Sequence, residues 1–319
     1  LTGISVIIPV YNEKNSIEST LKDVVEALQR QEYPFEIIVV NDGSVDGTAE
    51  KLRELAGRFA FRQLRHIQNN GYGASLKTGI RQARYPVIAI TDADGTYPNE
   101  DIPQLVWLLE PDITMVVGSR TGLSAKIPSI RHPAKWFIKM LAQFLSGHRI
   151  PDVNSGLRVF RKKEAMRYFQ LLPNGFSFTT TITLSFLVNG YNVIYHPISY
   201  FKREGKSKIR PIHDTLNFVH LVMRTVVCFN PLKVFIPLGI VLFLLAFAVN
   251  IVSIVFWGLV LETVFAVLVV GAVQVLSIGL VADLIQRRIY VGFEQEVHIR
   301  ASEKKAPPQV VDLMEERSS

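Results

Sequence analysis

Cysteine is nearly absent from this 319-residue sequence. Cys228 is the one thiol, which excludes an intramolecular disulfide framework and a zinc site built on cysteine. The seven histidines have no metal-type spacing and are assigned no role. Gly-x-Gly-x-x-Gly is missing, which argues against a dinucleotide dehydrogenase, and no Walker A sequence appears. A basic-then-apolar leader pattern is not found either, because the apolar run at residues 1–10 is short and polar residues follow it. Charged residues amount to only 20%, and with frequent Val, Ile and Leu this excludes a largely disordered chain. Positive charge is in excess, 35 Lys and Arg against 28 Asp and Glu, a net of +7. Such a balance suits nucleic acid, an anionic membrane or phosphorylated substrates.

Charge is also missing locally. Residues 234–261 contain no Asp, Glu, Lys or Arg, and residues 263–282 repeat the pattern after Glu262. A bilayer core about 30 Å thick needs roughly 20 such residues, so two transmembrane helices are expected, at about 234–257 and 263–284. Trp257, Gly258 and Glu262 mark the short turn between them. Arg224 and Lys233 lie before the first run, and Arg287 and Arg288 after the second. By the positive-inside rule, the catalytic domain and both termini are expected in the cytoplasm. The basic residues cluster near the apolar runs, so no nucleic-acid partner is expected. No self-association motif decides whether the spans form a homo-oligomer.

The first 210 residues alternate between short apolar runs and amphipathic stretches. Strands are expected at 4–10, 35–40, 61–67, 87–90 and 113–117. Helices are expected from Ile17 to Leu28, after Asp46 through Leu55, near 74–83 and at 102–109. Apolar strands alternating with such helices imply an α/β, Rossmann-like domain whose mostly parallel sheet is covered on both faces. Four segments are therefore expected. They are a domain over 1–210, an amphipathic juxtamembrane helix over 211–230, a membrane hairpin over 231–288 and a charged tail over 289–319.

In an open parallel sheet, ligands bind beyond the carboxyl ends of the strands. The fourth strand is followed by Asp92-Ala93-Asp94. Residues i and i+2 of an extended segment point the same way, so two carboxylates converge on one hard cation. Mg²⁺ takes one or two protein carboxylates and completes its shell with water and phosphate oxygens. Asp42 and Glu13 follow neighbouring strands.

These residues belong to stretches with a recognisable combination: 6–13 (VIIPVYNE), 37–47 (IIVVNDGSVDG), 70–74 (NGYGA), 91–98 (TDADGTYP), 154–160 (NSGLRVF) and 203–208 (REGKSK). Together they resemble the family-two inverting glycosyltransferases of GT-A fold, in the polyprenyl-phosphate branch that includes dolichyl-phosphate mannose and glucose synthases. The resemblance covers roughly residues 4–210, and the apolar runs fit its membrane-anchored members. It implies that Pro9, Tyr11 and Glu13 line the nucleoside and Asp42 bonds the base, with Gly71 and Gly73 near the ligand. Asp92 and Asp94 would be the catalytic, metal-holding pair for Mg²⁺ or Mn²⁺. Arg203 and Lys208, with Gly205 as hinge, would form a loop closing on the diphosphate. For Gly71 and Gly73 an ordinary turn remains an equal alternative.

Related enzymes that glycosylate hydroxyls carry an acidic pair on a helix in the second half of the domain. The corresponding segment here, 176–183 (FSFTTTIT), has no carboxylate. An acceptor phosphate is already ionised and needs cations rather than a base. Arg120 follows the fifth strand, and Arg131 and Lys135 precede or lie on a basic, aromatic-rich amphipathic stretch at about 133–146 that suits a membrane interface. The expected activity is therefore inverting transfer of a hexose, glucose or mannose, from a UDP- or GDP-linked nucleotide sugar to undecaprenyl or dolichyl phosphate. Two alternatives remain open. One is a hydroxyl-acceptor or polysaccharide-elongating membrane glycosyltransferase; the other is a non-catalytic scaffold that binds nucleotide or lipid.

Overall fold

The computed structural model describes residues 2–121, 143, 147, 150–175, 177–201 and 231–303, with side chains described as far as 285. The chain divides into two compact units, Leu1–Phe229 and Asn230–Ser319.

Among the described residues, the first unit is built on a seven-stranded sheet. In chain order its elements are β1 (Ile4–Val10), α1 (Ile17–Gln29), β2 (Phe35–Asp42), α2 (Thr48–Leu55), β3 (Arg62–His66), α3 (Tyr72–Gln82) and β4 (Val87–Ile90). There follow a 3₁₀ turn (Asn99–Asp101), α4 (Ile102–Trp107), β5 (Ile113–Ser119), β6 (Arg158–Arg161), α5 (Lys162–Arg167), α6 (Phe178–Val188) and β7 (Asn192–Pro197). The strand order is β3-β2-β1-β4-β6-β5-β7. Every neighbouring pair is parallel except those made by β6, which runs against both β4 and β5.

Alternation along β1 explains how both faces are covered. Val6 and Ile8 pack with Ile17, Leu21, Val24 and Leu28 of α1, four residues that recur along one helix face. Ile7 points the other way, into a cluster with Leu76 and Ile80 of α3 and Phe178 and Ile182 of α6. Pro9 lies in this buried strand without breaking the sheet. The Ile7 carbonyl accepts from the Thr91 N–H, so Ile7, and Pro9 two residues on, turn their backbone groups toward β4. That strand ends at Ile90, so the missing N–H of Pro9 breaks no ladder bond there. Helix α3 approaches β1 closely because Gly79 has no side chain; a Cβ there would strike Ile7 Cγ2. Gly79→Ala is expected to cost about 1–3 kcal/mol through overpacking, read as a lower unfolding midpoint. An unchanged midpoint would show that Ile7 repacks freely.

The parallel-sheet expectation is met, with local differences. Helix α3 begins at Tyr72 because Gly71, at φ 101°, turns the chain immediately before it. Asp46 caps α2 from one residue further out than a standard N-cap: Gly47 takes that position, and Asp46 Oδ1 accepts the Thr48 N–H at 3.0 Å. Strands β6 and β7 and helices α5 and α6 extend the expected series.

The second unit contains α7 (Leu232–Trp257) and α8 (Glu262–Glu303), joined at Gly258 in a left-handed conformation. Gly239 lies against Leu276 and Gly279 against Phe235; added Cβ atoms would stand 2.7 and 2.5 Å from those side chains. Phe247 and Phe265 meet edge to face at 5.1 Å. The segments Leu232–Trp257 and Glu262–Ile285 are strongly apolar, with mean hydropathies of 2.8 and 2.6, and most of their side chains are not buried. Both are long and apolar enough to cross a membrane. The backbone of α8 stays helical to Glu303, past the point near 288 where the sequence reading ends the hairpin. Between those points only Gly292 interrupts residues compatible with a helix, and no proline stops it.

Candidate active site

Asp92 and Asp94 stand at the carboxyl end of β4, both half-buried. Thr91 Oγ1 donates to Asn99 Oδ1 at 2.7 Å and anchors the start of the turn. The Tyr72 hydroxyl donates to Asp92 Oδ1 at 2.8 Å. Burial, and then the neighbouring Asp92 charge, push the Tyr72 phenol well above its ordinary pKa, so it remains a proton donor. Asp94 Oδ1 accepts from Thr96 Oγ1 at 2.6 Å and from the Thr96 N–H at 3.2 Å. Among the described residues no group of three or more His, Cys, Asp or Glu side chains could hold a metal. Two carboxylates match the donor set of a Mg²⁺ or Mn²⁺ ion that obtains its other ligands from water and phosphate.

The loops after β1 and β2 are tied together beside this turn. Asn12, a non-glycine residue at φ 55°, donates its N–H to Ser44 Oγ and accepts the Val45 N–H at Oδ1. The Glu13 N–H donates to Thr48 Oγ1 at 3.1 Å, while its carboxylate accepts from Ser16 Oγ at 3.0 Å. Pro9 is buried and Tyr11 half-buried. Asp42 is 3% exposed. Its Oδ1 meets His66 Nδ1 at 2.6 Å and accepts the Asn70 N–H at 3.0 Å; its Oδ2 accepts the Gly71 N–H at 2.8 Å. His66 Nε2 in turn lies 3.0 Å from Thr78 Oγ1. Asp42 thus anchors the loop that leads into α3.

The glycines of that loop serve a close approach within the protein. A Cβ on Gly71 would stand 2.5 Å from the Asn174 carbonyl oxygen, and one on Gly73 would strike that of Pro173. The Ala74 N–H also donates to the Asn174 carbonyl at 3.0 Å. Segment 173–175 occupies the space that side chains at Gly71 and Gly73 would need.

Arg120, expected to face an acceptor phosphate, is held by Asp152 in a two-pronged pair, Nε to Oδ2 at 2.8 Å and Nη2 to Oδ1 at 2.9 Å. Its guanidinium also lies over the Tyr200 ring at 5.3 Å. The charge is balanced inside the domain, and the pair ties the end of β5 to the loop before β6. Burial raises the Asp152 pKa, but the Arg120 hydrogen bonds and charge outweigh it and leave the carboxyl below its usual range. Arg131, Lys135, Arg203 and Lys208, the stretch at 133–146 except residues 143, and the segment 211–230 lie outside the described residues.

Sequence reasoning missed a second layer. Arg158 is fully buried at the start of β6. Its Nε and Nη2 donate to the Ser155 carbonyl, and its Nη1 donates to the Thr179 carbonyl and Thr183 Oγ1, both at 2.8 Å. Burial lowers its pKa. Thr180 Oγ1 bonds Asn154 Oδ1, so α6 is attached to the same loop. Within α6, Thr181, Thr183 and Ser185 return their hydroxyls to carbonyls four residues back, which lets a polar sequence be buried. The only sequence signal was the pattern at 154–160 (NSGLRVF), which indicates resemblance but not contacts.

Residues 5–169 match the family model of Glycosyl transferase family 2, and residues 230–287 match that of the GtrB C-terminal hairpin. A dolichol-phosphate mannosyltransferase of Pyrococcus furiosus is 28% identical over 230 residues, which is 69% of this chain and 64% of that protein. The match thus spans slightly less than two thirds of that relative. A dolichyl-phosphate hexose transferase of Haloferax volcanii is 28% identical over 209 residues, 65% of this chain and 87% of that protein. An undecaprenyl-phosphate 4-deoxy-4-formamido-L-arabinose transferase of Pseudomonas savastanoi is 30% identical over 250 residues, 74% and 68% of the two chains. Among solved structures, glucosyl-3-phosphoglycerate synthase from Mycobacterium tuberculosis, crystallised with Mg²⁺ and UDP, superposes with a TM-score of 0.55 at 18% identity. That match covers 70% of this chain and 79% of that one, and it speaks for the fold.

Proposed function

The chain belongs to glycosyl transferase family 2, and from that premise we propose that it moves one hexose from a UDP- or GDP-linked nucleotide sugar to a polyprenyl phosphate. The observation that carries this reading is the acidic pair at the exit of β4, with both carboxylates held by hydrogen bonds from the protein itself. The relatives' names support the acceptor class, and the hairpin match supports work at a membrane.

In the proposed reaction, Asp92 and Asp94 would hold Mg²⁺ or Mn²⁺ at the donor site. When bound, the ion supplies Lewis acidity that neutralises charge on the departing nucleoside diphosphate. Tyr72 keeps Asp92 oriented by donating to Oδ1. Pro9, Tyr11 and Glu13 flank the nucleoside, and Asp42 reaches the base from its anchored position while holding the 70–71 loop. Helix α6 contains no carboxylate, which suits an acceptor already ionised at neutral pH; Arg131 and Lys135 are assigned to that phosphate. Arg203 and Lys208 are assigned to the donor diphosphate. Attack by the phosphate oxygen on the anomeric carbon forms the new C–O bond as the bond to the nucleoside diphosphate breaks, inverting the configuration. The basic residues that flank the two apolar runs support assigning this chemistry to the cytoplasmic face.

The test is a panel of radiolabelled nucleotide sugars incubated with the full-length protein, Mg²⁺ or Mn²⁺ and undecaprenyl or dolichyl phosphate. Metal-dependent label entering the organic phase is expected for one donor. Label passing to sugar hydroxyls while polyprenyl phosphate is ignored would overturn the acceptor assignment.

A further inference from the structure

The Ser155–Gly156 peptide is fixed at both ends. Its carbonyl accepts Nε and Nη2 of Arg158, which is completely buried. Its N–H donates to the Tyr97 hydroxyl at 2.6 Å, and Tyr97 is 4% exposed. Tyr97 itself follows the acidic pair in the same turn. One small plane is thus clamped between β6 and the turn that carries Asp92.

Gly156 presses this plane against the acid. The three atoms nearest to a Cβ built on Gly156 all belong to one carboxylate: Asp92 Oδ2 at 2.5 Å, Cγ at 2.8 Å and Oδ1 at 2.8 Å. Gly156 is not among the glycines at positive φ, so an alanine would meet no backbone strain there. What demands glycine at this position is Asp92. Asp92 also accepts the Tyr72 hydroxyl at Oδ1.

We propose that Gly156 is a positioning residue: its bare Cα, on a peptide clamped by Arg158 and Tyr97, forms a rigid backing plate that sets the direction of the Asp92 carboxylate toward the metal. The idea rests on the metal-dependent reading above and extends it. A ligand carboxylate held to within a fraction of an ångström needs such support, and losing a supporting contact typically costs about 10- to 100-fold in metal affinity. Tyr72 supplies a directional bond to Oδ1, and the plate limits rotation of the carboxylate.

Two measurements on the full-length protein test this. The first is Mn²⁺ affinity in the presence of UDP, read from the free-ion electron paramagnetic resonance signal. Gly156→Ala is expected to weaken binding about tenfold or more, and Tyr97→Phe to weaken it less. The second is a cycle of unfolding midpoints. Gly156→Ala should lower the midpoint when Asp92 is present and leave it unchanged in an Asp92→Ala background, because the colliding carboxylate is gone. If Gly156→Ala alone does not fold, recovery of folding in the Asp92→Ala pair supports the same contact, and Tyr97→Phe carries the affinity arm. Wild-type affinity in Gly156→Ala, or an equal midpoint loss in both backgrounds, would overturn the proposal. Mn²⁺ binding that ignores Asp92→Asn would instead refute the metal assignment, leaving the midpoint cycle to judge the plate.

Discussion

Asp92→Asn is expected to lower sugar transfer on the order of 10²- to 10³-fold, the size seen when one charge-stabilising group is removed from a transition state. Asparagine keeps the volume and retains an oxygen to accept the Tyr72 hydroxyl, so the hydrogen bond at Oδ1 survives while the charge is lost. Asp94→Asn should act alike, because its amide oxygen can still accept from Thr96. The check is initial-rate transfer at saturating donor over a Mn²⁺ titration, with the unfolding midpoint measured in parallel. A midpoint close to wild type beside the collapsed rate is the expected pair of results. Undiminished turnover at ordinary metal concentration would remove these carboxylates from the chemistry.

The largest stability effect is expected at Asp152. Its carboxylate serves Arg120 through two guanidinium bonds and the Arg120 N–H, and accepts the Asn154 N–H as well. Asp152→Ala leaves a mostly buried arginine without its counter-charge, a loss of about 3–5 kcal/mol. For a domain of this size that lowers the melting temperature by roughly 6–20 °C. The pH dependence follows from the depressed carboxyl. An unfolded aspartate titrates near 3.8, and the folded value is lower. The stabilisation is therefore complete above about pH 4 and disappears as pH falls through the folded value, where both states are protonated. Melting curves of wild type and Asp152→Ala should converge at acid pH and separate toward neutrality. A gap that persists at the acid end would mean that the alanine acts by lost packing.

Much of the first half of the chain could be read in advance because its signals are local. The runs at β1 and β4 coincide with their strands, and the period-two spacing of Asp92 and Asp94 needed only the strand before them. The later part resisted for a physical reason. Strand β6 is four residues long and carries arginine at both ends, so neither length nor hydropathy marks it as a sheet interior. Arg158 looks like a surface cation until the acceptors that satisfy it are known, and two of those, the Thr179 carbonyl and the Thr183 hydroxyl, belong to α6. Arg120 and Asp152 are 32 residues apart. No spacing rule joins them, and an arginine after a strand end is an equally good phosphate ligand on sequence grounds. Gly71 and Gly73 could be recognised as glycines that something must approach; the approaching segment, 173–175, lies about a hundred residues away.

The antiparallel strand governs how the sheet comes apart. Among the described strands, β3, β2, β1 and β4 form one ribbon and β5 and β7 another, and β6 alone joins them. It follows both Asp92 and β5 in the chain, so a nascent chain carries its acidic pair before the seam is closed. A keystone of four residues concentrates cooperativity in a few amides. Hydrogen exchange at residues 158–161 then reports the opening of the whole sheet rather than fraying at an edge.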